Sequence, residues 1–203
     1  NYRLKEGEDE KVILPEVDAL WLNGQSQPDE CDPLFAKWKK AGLMTSEMVI
    51  KRIEIAAKEG NRGIISYLKR QLPREQQYLA DAWLSVTRDA SRVSKSTLFP
   101  LNSTAHEAEV IVWAIKKLAW RNPDLAAKVF TRYHAKNVFS KAQLHDMKRA
   151  IALSYTLDRL PQADHWLELA DVDGASEDVK FWHISHLLRK KQWQQVIDAV
   201  SYT

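Results

Sequence analysis

Val112-Trp-Ala-Ile-Lys-Lys-Leu-Ala-Trp-Arg-Asn-Pro-Asp-Leu-Ala-Ala-Lys-Val-Phe-Thr-Arg-Tyr-His-Ala135 reads as an apolar helix, a polar break and a second amphipathic helix. Val112, Trp113, Ile115, Leu118 and Ala119 recur near helical spacing, in a helix that starts at Ser103 or Thr104. Asn122-Pro123-Asp124 then supplies a cap and a Pro at the first position of the next helix, where a missing N–H costs nothing. Leu125, Val129, Phe130 and Tyr133 share the inward face of that second helix. One such hairpin cannot bury both of its faces, so it predicts neighbours stacked against it.

Those neighbours are present. Residues 50–73, 148–171 and 182–203 repeat the plan of helix, short polar break and amphipathic helix. Their breaks are Gly60-Asn61, Arg159-Leu160-Pro161 and Lys190-Lys191-Gln192. Small residues recur before the break, Ala56 and Ala57, then Ala119, then Ala152, and let paired helices approach closely. The last three breaks are spaced roughly in the thirties, the range of tetratricopeptide-like hairpins, although the full tetratricopeptide signature is absent. Between and before these segments lie further helix signals. Asp32 is expected as an N-cap before Pro33, with Gly42 as the stop. Thr45 caps the next helix and Gly60 ends it; residues 74–88 form another, and Ser140 and Ser176 cap two more. Residues 91–97 are a weaker helical stretch, and Glu6-Gly-Glu-Asp-Glu10 is expected as a solvated turn. No stretch alternates as a strand does. The expected fold is all-α, a right-handed superhelix (solenoid) of stacked αα-hairpins, with residues 1–203 as one domain.

Composition narrows the function. Across 203 residues, 45% hydrophobic and 28% charged content is ordinary globular usage. A net charge of +3 is too small to argue for nucleic acid or an anionic membrane surface. No apolar run approaches the ~18 residues of a membrane span. One Cys excludes an internal disulfide framework and a cysteine-rich zinc site. The chain opens at Asn1 without Met or a signal peptide and closes within a helical pattern, so it is expected to be a piece of a longer protein.

Chemistry-bearing patterns are sparse. Eight Trp allow either an aromatic groove for sugars or bases, or core packing; seven of them sit inside apolar helical patterns, which favours packing. His183, His186 and Asp178 share a helix face but lack a third strong ligand and any HExxH spacing, so a half-buried face is expected there. Asp164-His165 and His106-Glu107 read as surface pairs, and Glu107 and Glu109 point to different sides of one helix. Gly60-Asn-Arg-Gly63 is too short for a phosphate loop. Arg189-Lys190-Lys191 closes a helix, where cations favour the dipole. No nucleophile, cofactor or metal motif is present. The residues alone reach a helical solenoid with a binding or scaffolding surface.

One stretch goes further. Leu20-Trp-Leu-Asn-Gly-Gln-Ser-Gln-Pro-Asp-Glu-Cys-Asp-Pro-Leu-Phe-Ala-Lys-Trp38 resembles the superhelical domain of the soluble lytic murein transglycosylases. Trp21, Gly24, Ser26, Pro28, Cys31, Asp32, Leu34, Phe35 and Trp38 fill the places of that family's motif, and residues 50–72 are also similar to it. Phe181-Trp182 is similar to a Tyr-Trp pair of the family, with Ser185 where an Arg is expected. The resemblance implies a periplasmic protein of a Gram-negative bacterium. Its parent would cleave peptidoglycan between N-acetylmuramic acid and N-acetylglucosamine, leaving a 1,6-anhydro ring. A Glu would protonate the glycosidic oxygen and the sugar's own 6-hydroxyl would attack. That Glu belongs to a C-terminal lysozyme-like domain absent from these residues, so no catalytic residue is assigned here. The implied partners are the glycan strand and that catalytic domain. The resemblance also implies that Cys31 pairs with a Cys preceding Asn1; an unpaired, half-buried thiol is the alternative. A helical-repeat scaffold for a protein partner remains the competing reading. An RNA-binding repeat is disfavoured by the low charge and by the lack of a regular base-reading pair. Sugar binding predicts aromatic and amide side chains exposed together; protein binding predicts an apolar patch with charged edges.

Overall fold

In a computed structural model, residues 10–170 and 176–201 are described. The expected Glu6–Glu10 turn lies outside them except for Glu10, as do Asp171, Tyr202 and Thr203 at the ends of two expected repeats. Every regular element among the described residues is helical. They are α1 (Glu10–Ile13), α2 (Val17–Trp21), α3 (Asp32–Lys40), α4 (Ser46–Lys58), α5 (Arg62–Lys69) and α6 (Gln77–Arg88). Then follow α7 (Thr104–Ala119), α8 (Pro123–His134), α9 (Lys141–Leu157), α10 (Ala163–Ala170), α11 (Glu177–Arg189) and α12 (Trp193–Ser201), with short 3₁₀ turns between some of them.

Side-chain caps set the starts of α4, α8 and α9. Thr45 accepts from the Met48 N–H at 3.3 Å and Asn122 from Leu125 N–H at 3.0 Å. Ser140 and Gln143 form a reciprocal capping box. Three of the repeat breaks end in the same way, with a left-handed residue that closes two backbone bonds onto the last turn. At the first, Gly60 (φ 81°) donates to Ala57 O and Asn61 to Ala56 O. Arg159 (φ 56°) and Lys191 (φ 57°) occupy the equivalent places after α9 and α11, where no glycine marks the stop.

Some expectations change. Asp32 is the first helical residue rather than the cap, because the 3₁₀ turn Asp29–Cys31 runs straight into α3 and leaves Cys31 as the N-cap. Asn61 and Ser176 sit at cap positions without a side-chain cap bond. Residues 74–76 form a 3₁₀ turn before α6, and residues 90–98 are two 3₁₀ turns.

The chain divides into two compact units, Asn1–Val110 and Ile111–Thr203. In the first, α4 packs on α5 and α6, and α5 on α6. Its core gathers Trp21, Trp38, Ile53, Ile65, Leu68 and Trp83, each at most 4% exposed. In the second, α9 packs on α8, α10 and α11, and α11 on α12. Phe130 and Tyr155 meet Trp166 at ring distances of 5.5 and 6.4 Å. The small residues before the breaks are fully buried, as their role requires: Ala56, Ala119 and Ala152 show no exposure. At one of them the helices come close enough for Ser154 Oγ to donate to the Ala119 carbonyl at 2.5 Å.

The packing reading of the tryptophans holds for Trp38, Trp83 and Trp166, which are buried, as is Trp21 outside that set of seven. It fails for Trp120 and Trp193, which are 52% and 61% exposed, while Trp113 and Trp182 are half-buried. Helical spacing alone does not say which face of a hairpin finds a neighbour.

Candidate functional site

The residues of the motif build one structure. Asn23 Oδ1 accepts from the Gln25 N–H at 2.8 Å, turning the chain after α2. The following loop is clamped from α4 and from the break after it. Arg52, only 4% exposed, donates from Nε to the Asn23 carbonyl at 3.1 Å and from Nη2 to the Gln25 carbonyl at 3.0 Å. Its guanidinium lies 4.2 Å above the Trp21 ring, a desolvated cation–π contact. Burial, which removes the guanidinium from water, pushes the Arg52 pKa down from its ordinary value. Asn61 Nδ2 donates to the Gly24 carbonyl at 3.0 Å, which is why its side chain leaves the cap of α5 open. Gly24 is buried against the end of α4; a Cβ there would lie 2.2 Å from Glu59 Oε2 and 3.1 Å from Ile55 Cγ2.

Trp21 then anchors the aromatic part, with Phe35 at 5.4 Å edge-on and Trp38 at 5.3 Å. Trp38 donates from its indole N–H to Asp18 Oδ1 at 2.9 Å. Leu34 and Trp38 are buried, so α3 turns its other face outward. That face carries Asp32, Phe35, Ala36 and Lys39 at helical spacing, and opposite it α5 and the turn after it present Gly63, Ile64, Tyr67 and Gln71. Between them lies a cleft of about 620 Å³, lined also by Trp21, Arg52, Ser26, Gln27 and Asp29. The volume falls within the range of small-ligand sites. Of the motif residues, Trp21, Ser26, Asp32 and Phe35 line this cleft. Gly24, Leu34 and Trp38 support it from behind, and Pro28 starts the 3₁₀ turn at its edge. Cys31 is half-buried, with no other Cys in this chain to pair with.

Arg52 was not among the residues singled out in the sequence. A signal was there: it falls on the same helical face as Val49, Ile53 and Ala56, so a charged residue occupies a core position.

The remaining candidates separate. His186 bonds Asp164 Oδ1 at 2.6 Å, while Asp178 takes the Arg149 guanidinium, with Nε at 2.9 Å. His183, His186 and Asp178 therefore do not converge. Among the described residues no group of three or more His, Cys, Asp or Glu could hold a metal ion. Lys190 pairs with Asp164, so the basic run after α11 is partly neutralised. Glu107 is no surface residue: it is fully buried and accepts from Tyr78 Oη at 2.8 Å, Leu101 N at 2.8 Å and Ser103 N at 3.1 Å. Burial and the Glu107 carboxylate raise the Tyr78 hydroxyl well above its ordinary pKa. No helix of the described residues is long and apolar enough to cross a membrane.

Fold and site together define an all-α hairpin-repeat protein with a polar, aromatic-walled cleft between two helices. No family model matches the chain. A soluble lytic murein transglycosylase of Salmonella typhimurium is 39% identical over 74 residues, which is 36% of this chain and 12% of that protein. The inactive mutant of lytic transglycosylase Slt from Pseudomonas aeruginosa superimposes with a TM-score of 0.75 at 27% identity, over 97% of this chain and 32% of that one. The 70-kDa soluble lytic transglycosylase in complex with bulgecin A gives a TM-score of 0.77 at 20% identity, over 98% and 32%. The all-α fold is that of the helical superhelical domain of the 70-kDa enzyme. The chain is thus similar to soluble lytic murein transglycosylases, in sequence over 74 residues and in fold over nearly its whole length. It spans about a third of the length of the solved relatives.

Proposed function

We propose that this chain is the substrate-handling and scaffolding superhelical portion of a periplasmic lytic murein transglycosylase, with no catalysis of its own. The observation that carries the proposal is coverage: 97% of the chain superimposes on 32% of a lytic transglycosylase, within one helical fold. In the parent protein a C-terminal lysozyme-like domain would cleave the MurNAc–GlcNAc linkage of peptidoglycan to 1,6-anhydro products, and no Glu of this chain is given that role. Cys31 would pair with a Cys preceding Asn1; thiol titration of the longer protein, with and without reductant, checks this.

The test is to incubate the purified chain with peptidoglycan sacculi, sediment them, and analyse the supernatant by mass spectrometry. Co-sedimentation without anhydro products is the expected result. Released 1,6-anhydro muropeptides would overturn the non-catalytic assignment. Absence of both products and binding favours the second reading, a scaffold for a protein partner. That reading has its own observation: α11 and α12 expose Phe181, Trp193, Ile197 and Val200, each 49–62% accessible, as an apolar surface.

A further inference from the structure

The cleft between α3 and α5 has features that packing does not require. Gln27, Asp29, Asp32, Lys39 and Gln71 line it, and among the described residues none commits its side chain to a hydrogen bond or ion pair within the protein. Polar groups converging on a concavity without internal partners are free to bond a ligand. The charges balance: Asp29 and Asp32 share the lining with Lys39 and the buried Arg52. A net-neutral lining favours a neutral ligand over an anion or a cation, since either ion would meet as much repulsion as attraction. Two aromatic rings line the cleft, Phe35 on α3 and Tyr67 on α5, the latter 53% exposed with the Arg70 guanidinium 5.9 Å from its ring. Rings set among amides and carboxylates suit a molecule with apolar C–H faces and many hydroxyl and amide donors and acceptors.

We infer that this cleft is a saccharide-binding subsite that takes a short run of N-acetylated hexosamine, with Tyr67 and Phe35 against the sugar faces and Gln27, Gln71, Asp29 and Asp32 bonding the hydroxyl and acetamido groups. The inference deepens the substrate-handling proposal and rests on it for the choice of glycan. Arg52 acts through the loop: by holding the Asn23 and Gln25 carbonyls it places Ser26, Gln27 and Asp29 on the cleft lining. It is a positioning residue, not a ligand contact.

The probe is the uncharged β-1,4-linked tetramer of N-acetylglucosamine, followed by saturation-transfer NMR and calorimetric titration of the full chain. Ring and acetyl-methyl protons of the tetramer should receive saturation. Tyr67→Ala and Gln71→Ala should each weaken binding by roughly tenfold or more. Trp193→Ala, an exposed aromatic in the other unit, should leave it unchanged. Tyr67 is an exposed side chain, and circular dichroism of both cleft variants confirms that they fold. No saturation transfer, binding that both cleft variants retain, or binding of a free stem peptide in place of the tetramer would overturn the assignment. Sacculus co-sedimentation of the same variants separates the two claims. Sacculi that hold wild type and both cleft variants equally leave substrate handling standing and remove this subsite. Tetramer binding that depends on Tyr67 and Gln71, without sacculus binding, supports the subsite and removes the broader reading.

Discussion

Two buried ionisable residues carry much of the first unit. Arg52 replaces water with two carbonyls and an indole face, and its planar fork is what reaches both carbonyls. Arg52→Ala should lower stability by about 2–3 kcal/mol, from two lost charge-assisted bonds and the cation–π contact. Arg52→Lys should recover less than half of that, because an ammonium cannot bridge the Asn23 and Gln25 carbonyls in the same geometry. Urea unfolding checks both, and an unchanged midpoint for Arg52→Lys would remove the fork argument. Glu107 is the second. It accepts the Tyr78 hydroxyl and two backbone N–H groups, one of them from Leu101, a bulky residue in the left-handed region at φ 61°. Glu107→Ala leaves three half-buried donors without their acceptor and should cost about 2–3 kcal/mol; Glu107→Gln keeps one acceptor oxygen and should cost less. Neither residue stood out in the sequence as structural. A charge on a helix face is ordinarily solvated, and only the packing of a second segment onto that face makes it buried.

The hairpin breaks are the informative elements. The first uses Gly60 for its left-handed stop, and the corresponding places after α9 and α11 hold Arg159 and Lys191. A side chain there costs about 1 kcal/mol relative to glycine. Arg159→Gly and Lys191→Gly should therefore each raise stability by about 0.5–1 kcal/mol, since the relief of the left-handed backbone exceeds the added chain entropy. Thermal unfolding followed by circular dichroism checks this, and a lowered midpoint in either variant would contradict it. The breaks themselves were legible, because polar residues and caps such as Asn122 and Ser140 act on their own few neighbours along the chain. Asp32 was misplaced by one position because a 3₁₀ turn ahead of α3 extends the helical backbone through the expected cap.

For the molecule as a whole, carboxylates set the response to acid. The hydrogen bond from Arg149 holds Asp178 well below the usual carboxylate range. Burial raises Asp164 and Glu54, but hydrogen bonds from Lys190 and His186, and from Lys58 and Lys51, outweigh it and leave both lowered. A carboxyl group with a depressed folded-state pKa contributes stability above its unfolded pKa, about 4, and loses it as pH falls through the folded value. The chain should thus lose stability steadily below about pH 4. Asp178→Asn should be less stable than wild type at pH 7 by about 1 kcal/mol or less, the pair being a third exposed and screened. The difference should shrink as pH falls from about 4 toward the depressed folded-state value of Asp178, where the carboxyl finally protonates; a difference that does not shrink over that range would mean that the ion pair is not its source.

The all-α class, the hairpin plan and the caps Thr45, Asn122 and Ser140 came from the sequence by itself, because helical periodicity and capping are local and act within a few residues. The motif of residues 20–38 pointed to the family for the same reason, as a contiguous string. The cleft did not follow from the sequence, since its walls are more than twenty residues apart and meet only when the Asn23–Gln25 loop closes on Arg52. Which tryptophans are core and which are surface, and that Glu107 is buried, also waited on tertiary structure. Burial depends on which neighbour covers a face, and one strand of sequence does not contain that neighbour.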